Sequence, residues 1–189
     1  ADLLGLIEII LGKNLSAEEL SILDRALTQT YASFNILPTT DFSKVEIFPT
    51  LNDFEKVLKS MEGGDVISEK FYPYTQGNFS GFINQPTTIE LEKKIVVFGF
   101  RDLVEELRPI GMYIALSYIM SRVQRELKKR VVIIDESWWL MKQESGANFL
   151  LNAIKRGRKY FLGITTITQD VEDFLNSPYG KPIITNSAL

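Results

Sequence analysis

The stretch that decides the fold is KKRVVIIDESWW, Lys128 to Trp139. Four consecutive β-branched residues, Val131 to Ile134, run directly into the adjacent carboxylates Asp135 and Glu136 and then into two tryptophans. β-Branched side chains favour extended backbone, and a short unbroken apolar run is the mark of a strand buried in a parallel sheet. Such sheets bind ligands beyond the carboxyl ends of their strands, so the two acids stand where a ligand would be met.

Working outward, the flanking segments alternate between strand and helix patterns. On the amino-terminal side, KIVVFGF (94–100) reads as a strand, and a helix from about Pro109 to Lys129 follows, with proline tolerated in its first turn. On the other side, ESGANFLLNAIKRGRKY reads as a helix and FLGITTIT (161–168) as a strand. DVEDFLN reads as a short helix and KPIITN (181–186) as a last strand. Apolar strands separated by helices predict a mainly parallel sheet covered on both faces, an α/β fold over residues 94–189.

Residues 1–93 have a different texture, mainly helical. ADLLGLIEIIL ends at Gly12, a glycine stop. Ser16 and Glu19 stand at capping-box spacing before a helical stripe of Leu20, Leu23, Ala26, Leu27 and Tyr31. Thr50 and Asp53 repeat the capping pattern ahead of a helix that Gly63 and Gly64 close. From about 65 to 93 the chain is aromatic and irregular, with a short helix near Ile67–Tyr72, then loops and a short strand. Its aromatic rings read as plugs between helices, with base stacking as the alternative.

Composition narrows the chemistry. The 189 residues contain no cysteine and no histidine, which removes disulfides, thiol nucleophiles and imidazole catalysis. A hydrophobic content of 45% with 24% charged residues describes a globular chain. The net charge of −3 supplies no global basic field for nucleic acid. The most apolar segment, Pro109 to Met120, is too short to span a bilayer, and no secretory leader is visible, so a cytosolic setting is expected.

Four apolar residues followed by Asp-Glu is the pattern of a Walker B segment. There the aspartate holds Mg²⁺ and the glutamate polarises the water that attacks the γ-phosphate of ATP. Adjacent carboxylates stay ionised more easily when each has its own partner, here a metal and a water. The same pattern also arises at ordinary strand–loop junctions. The downstream order adds weight: a basic cluster, Arg156, Arg158 and Lys159, precedes a strand, and Thr168-Gln169 stands at that strand's carboxyl end. By spacing alone the basic cluster reads equally as a solvated helix end complementing the helix dipole.

VVIIDESWWLM, RGRKYFLGITTITQDVEDFLNS and IITNSA together resemble the VirB/TraC-type traffic ATPase of type IV secretion (conjugation) systems. LSAEELSILDRAL, PTLNDF and IVVFGFRDL extend the likeness weakly upstream. The resemblance implies a RecA-like P-loop NTPase core with a helical subdomain, using ATP and Mg²⁺. It makes Asp135 the Mg²⁺-associated aspartate, Glu136 the catalytic glutamate and Gln169 the γ-phosphate-sensing glutamine. Arg158, with Lys159 beside it, becomes a nucleotide-phosphate contact, either within one subunit or across a subunit boundary. It further implies self-association into an oligomer such as a hexamer, and a cytoplasmic position at the inner face of the cell membrane. Its implied partners are other secretion components, including the coupling protein, with DNA contact left open. A DNA translocase of the same superfamily, or a non-catalytic interaction module, are the competing expectations.

One departure stands out. The phosphate-binding loop, G-x-x-x-x-G-K-[ST], is absent. Gly12-Lys13 is followed by Asn14 and preceded five positions earlier by Ile7; Gly180-Lys181 is followed by Pro182 and preceded by Leu175. The expectation is an internal piece of a longer ATPase, its loop lying upstream of Ala1, and inactive by itself. Ser137 replaces a frequent alanine. Trp138 and Trp139 read as anchors under the site or toward a neighbouring subunit, and Asn186 carries little functional weight.

Overall fold

The computed structural model describes residues 3–12, 15–86, 93–142, 144–169 and 171–186. The chain forms two compact units: residues 1–14 with 97–189, and residues 15–96. The first helix therefore belongs with the α/β unit, not with the helices that follow it in sequence.

The helical unit holds α2 (Ala17–Ser33), α3 (Leu51–Lys59), α4 (Asp65–Glu69), α5 (Tyr72–Thr75) and α6 (Ser80–Ile83). Both expected capping boxes start helices. Glu19 Oε2 accepts from the Ser16 amide at 3.0 Å and Ser16 Oγ accepts from the Glu19 amide at 3.2 Å. Asp53 Oδ2 accepts from the Thr50 amide at 2.9 Å. These bonds satisfy amide groups that a helix start leaves without partners, each contributing on the order of 1 kcal/mol. Leu23, Ala26, Phe54, Leu58, Ile67 and Phe71 form the buried interior. Phe54 and Phe71 meet edge to face, with ring centroids 5.5 Å apart. Of the irregular aromatic region, Phe71 is thus a core plug, whereas Tyr72 and Phe82 are exposed. Asn84 ties its end, accepting from the Asn52 amide at 2.9 Å and donating to the Thr75 carbonyl at 3.0 Å. The short strand expected in this region does not occur in residues 65–86, and residues 87–92 lie outside the described residues.

The α/β unit contains α1 (Leu3–Leu11), α7 (Arg108–Arg125), β1 (Arg130–Ile134), α8 (Trp138–Met141), α9 (Glu144–Gly157), β2 (Leu162–Thr166), α10 (Val171–Asn176) and α11 (Gly180–Thr185). Gly12 ends α1 with φ +67°, backbone that only glycine adopts cheaply. α1 packs on α7 and α9. β1 and β2 run parallel and in register, Arg130 opposite Leu162 and Ile134 opposite Thr166. The buried face of this pair rests on α7 and α9: Val132, Ile164 and Phe149 pack against the cluster of Met120, Val123, Ala153 and Leu162. No helix among the described residues is long and apolar enough to cross a membrane.

Three sequence expectations are corrected. KIVVFGF forms no strand, and Ile95 and Val97 are 84% and 85% exposed. Alternation and β-branching describe a surface that suits a sheet, but a strand exists only when a neighbour completes its ladder, and none of the described residues does so. KPIITN is helical, forming α11. Pro182 is accommodated in its first turns, where amides lack intrahelical partners, and Gly180 admits a close approach: a Cβ there would lie 1.8 Å from the Phe174 carbonyl oxygen. Finally, the described residues cover only one face of the sheet. Val131 and Ile133 are 71% and 66% exposed on the side away from α7 and α9.

Candidate functional site

Parallel pairing in register puts the carboxyl ends of β1 and β2 side by side, and the chain continues the ladder one step past both. The Ile167 amide donates to the Ile134 carbonyl at 2.8 Å, and the Ser137 amide donates to the Ile167 carbonyl at 3.0 Å. Ser137 Oγ adds a second bond to that same carbonyl at 3.1 Å. Ser137 is fully buried. A small hydroxyl residue therefore stitches the two strand tips together from beneath.

Above this stitch the chain turns sharply. Glu136 has φ +51°, a left-handed conformation that costs a residue with a Cβ about 1 kcal/mol. Its amide donates to Asp135 Oδ1 at 2.9 Å, so the preceding side chain braces the turn. The turn aims the Glu136 carboxylate across the gap to the neighbouring tip. Gln169 Nε2 donates to Glu136 Oε1 at 2.6 Å, and Trp138 Nε1 donates to Oε2, also at 2.6 Å. A carboxylate only accepts hydrogen bonds, so the Gln169 amide must present its NH₂ group here. Two donors fix the plane of the carboxylate and leave lone pairs on both oxygens.

The indole is itself held. Trp138 and Trp139 stack with centroids 4.2 Å apart and planes inclined by 27°, and Trp139 is buried. Lys142 Nζ lies 3.9 Å from the Trp139 ring and 4.6 Å from the Trp138 ring, and pairs with Glu105 at 3.2 Å. Arg108 sits 5.4 Å from the Trp139 ring.

Of the residues singled out from sequence, Asp135, Glu136 and Gln169 are brought together. Arg158 and Lys159 are not. They occupy a 3-10 turn that precedes β2, at the opposite end of a five-residue strand about 17 Å long. Sequence spacing gave no sign of the Trp138 tether, the Ser137 stitch or the left-handed Glu136, since each arises from a turn geometry that only the paired strands impose. Asp135 is exposed, as a carboxylate meeting a hydrated cation must be. Among the described residues no three acidic side chains gather as a metal cluster. The donor set fits Mg²⁺, which takes one or two carboxylates and completes its shell with phosphate oxygens and water.

The chain is similar to a solved structure of VirB4 of Thermoanaerobacter pseudethanolicus, with a TM-score of 0.84 and 23% identity, over 95% of this chain and 52% of that one. It thus spans about half the length of that VirB4 chain, and the likeness at this identity is one of fold. No curated protein matches it. A family model described as the TraG P-loop domain matches residues 27–189. With that match taking in the stitched strand tips, the acid pair and Gln169, the chain belongs to the TraG P-loop domain family.

Proposed function

We propose that this domain carries the hydrolytic residues of an ATPase that powers substrate transfer or pilus assembly by a type IV secretion system. The observation that carries the proposal is the Glu136 carboxylate, held at a strand tip by Gln169 from the neighbouring tip at 2.6 Å. Asp135 is the residue to hold Mg²⁺ through a bound water. The cation supplies charge neutralisation of the phosphates when bound. Glu136 orients and polarises the attacking water through its unused lone pairs. Gln169 links that carboxylate to β2, so a change at the γ-phosphate reaches the sheet through one hydrogen bond.

The sequence contains no G-x-x-x-x-G-K-[ST] run. In this reading the loop comes from chain outside these 189 residues, and this stretch by itself does not turn over ATP. Arg158 and Lys159, at the far end of β2, serve a neighbouring copy's nucleotide, where an arginine stabilises charge on the transferred phosphoryl group. Self-association is part of the same proposal, as are placement at the inner membrane face and contact with other secretion components. The test is Glu136→Gln in the full-length ATPase: MgATP binding is retained and turnover collapses. Unchanged turnover removes Glu136 from the mechanism and the proposal with it.

A further inference from the structure

We infer that Trp138 is a positioning residue for hydrolysis, its indole N–H setting the orientation of the Glu136 carboxylate. The inference rests on the hydrolytic reading above and goes beyond it, because it assigns a role to a residue outside the acid pair and its glutamine.

Three observations carry it. First, the Trp138 N–H spends its one hydrogen bond on Glu136 Oε2, at 2.6 Å, across only two residues of chain. A half-buried indole satisfied for structural purposes alone needs only water or a carbonyl. Second, the contact is made at a Glu136 whose φ is +51°. Left-handed backbone at a residue with a long side chain persists where its surroundings hold it, and here Asp135, Gln169 and Trp138 all bond to that residue. Third, the donor is rigid and polarised. Trp138 stacks on buried Trp139, and the Lys142 ammonium lies 4.6 Å from the Trp138 ring, anchored by Glu105. A cation over an indole face draws electron density from the ring and makes its N–H a stronger donor.

The consequence is a carboxylate held on both oxygens. Gln169 follows the tip of β2, whereas Trp138 opens α8, stacked on the buried Trp139, so the two donors reach the carboxylate from different elements. Losing the indole donor leaves Glu136 attached only to Gln169, free to swing out of line with its water.

The test has two arms. In the full-length protein, the Trp138 indole N–H resonance is assigned by its loss in Trp138→Phe. Glu136→Ala is expected to move the Trp138 resonance upfield and leave Trp139 nearly in place; an unmoved Trp138 resonance overturns the tether. In the full-length ATPase, Trp138→Phe is expected to lower kcat about ten- to a hundredfold with KM for ATP unchanged, the signature of a misaligned reacting group. In a Glu136→Gln background the same substitution should add nothing. Should Trp138→Phe fail to fold, 3-benzothienylalanine at 138 keeps the bicyclic shape and deletes only the N–H. A kcat within twofold of the parent, with Glu136→Gln inactive, refutes the positioning role alone. Full turnover in Glu136→Gln refutes the hydrolytic reading and the positioning role together.

Discussion

Glutamine and alanine at position 136 should behave oppositely in the fold and alike in catalysis. The carboxylate accepts one bond on each oxygen, from Gln169 Nε2 and Trp138 Nε1. An indole is a donor only, so a glutamine replacing Glu136 must turn its carbonyl oxygen to Trp138. Its NH₂ then faces Gln169, whose own amide can rotate to offer its oxygen. Both bonds survive with reversed polarity on one side, and the length of the side chain is kept. The cost is expected within about 0.5 kcal/mol, the range of a surface substitution that loses no contact. Alanine forfeits both bonds. Each hydrogen bond to a charged group contributes roughly 1.5–3 kcal/mol when buried, and this site is only half-buried, so the pair together is worth about 1–2 kcal/mol. For a chain of this size that is a fall in Tm of about 2–8 °C, against about 2 °C or less for glutamine. Both tryptophans lie in the α/β unit, so tryptophan fluorescence during a melt reports that unit alone. If the proposed hydrolysis holds, ATP turnover by the full-length protein should fall by about 10²–10⁴ in both variants, the usual contribution of a positioned base. Equal melting losses for the two variants would refute the donor–acceptor assignment. Turnover within threefold of the parent would refute the role of the carboxylate.

Other expectations follow from single contacts. Ser137→Ala removes the Oγ bond but leaves the Ile167 carbonyl accepting from the Ser137 amide, so nothing is orphaned and the loss should be about 1 kcal/mol by denaturant titration. Ser137→Val places two methyl groups in a fully buried site and should cost more, about 1–3 kcal/mol; a neutral valine would show the tips are not closely stitched. Burial raises the Tyr31 hydroxyl above its ordinary pKa, and burial with the Glu144 carboxylate raises Tyr179 in the same direction. For a group raised on folding, stability is intact below the unfolded value near 10.0 and is lost as pH climbs through the folded one. Melts from pH 9 upward should therefore decline less steeply in Tyr31→Phe, and an unaltered slope would remove Tyr31 as a cause. Arg158→Ala in the full-length ATPase should lower turnover about a hundredfold or more if the arginine completes a neighbour's site. Mixing that variant with Glu136→Gln should restore part of the activity, because hybrid interfaces pair an intact arginine with an intact glutamate; no recovery would rule out action between copies.

What the sequence by itself determined was local. Helix starts at Ser16 and Thr50 were legible because a capping box is closed by residues three apart, with no help from the rest of the chain. The strand Val131–Ile134 and its acidic exit were legible because four β-branched residues suit little else, and the parallel partner could be inferred from an intervening helix too long for a hairpin. The likeness of Asp135, Glu136 and Gln169 to a nucleotide site rested on order along the chain, and their meeting at one edge of the sheet followed from that order.

Tertiary structure decided everything that depends on a neighbour. KIVVFGF has strand composition but no ladder among the described residues, and KPIITN has strand composition yet coils, because six residues cannot fix their own conformation against the packing of α10 and α9. α1 was assigned by sequence proximity to the helical unit, but its apolar face found α7 and α9 instead. The left-handed turn at Glu136 and the two donors on its carboxylate stand where Ser137 bonds back to Ile167 across the strand gap. Periodicity and capping are properties of a few residues in a row; the direction of one side chain at a strand tip is set by the backbone that pairs beside it.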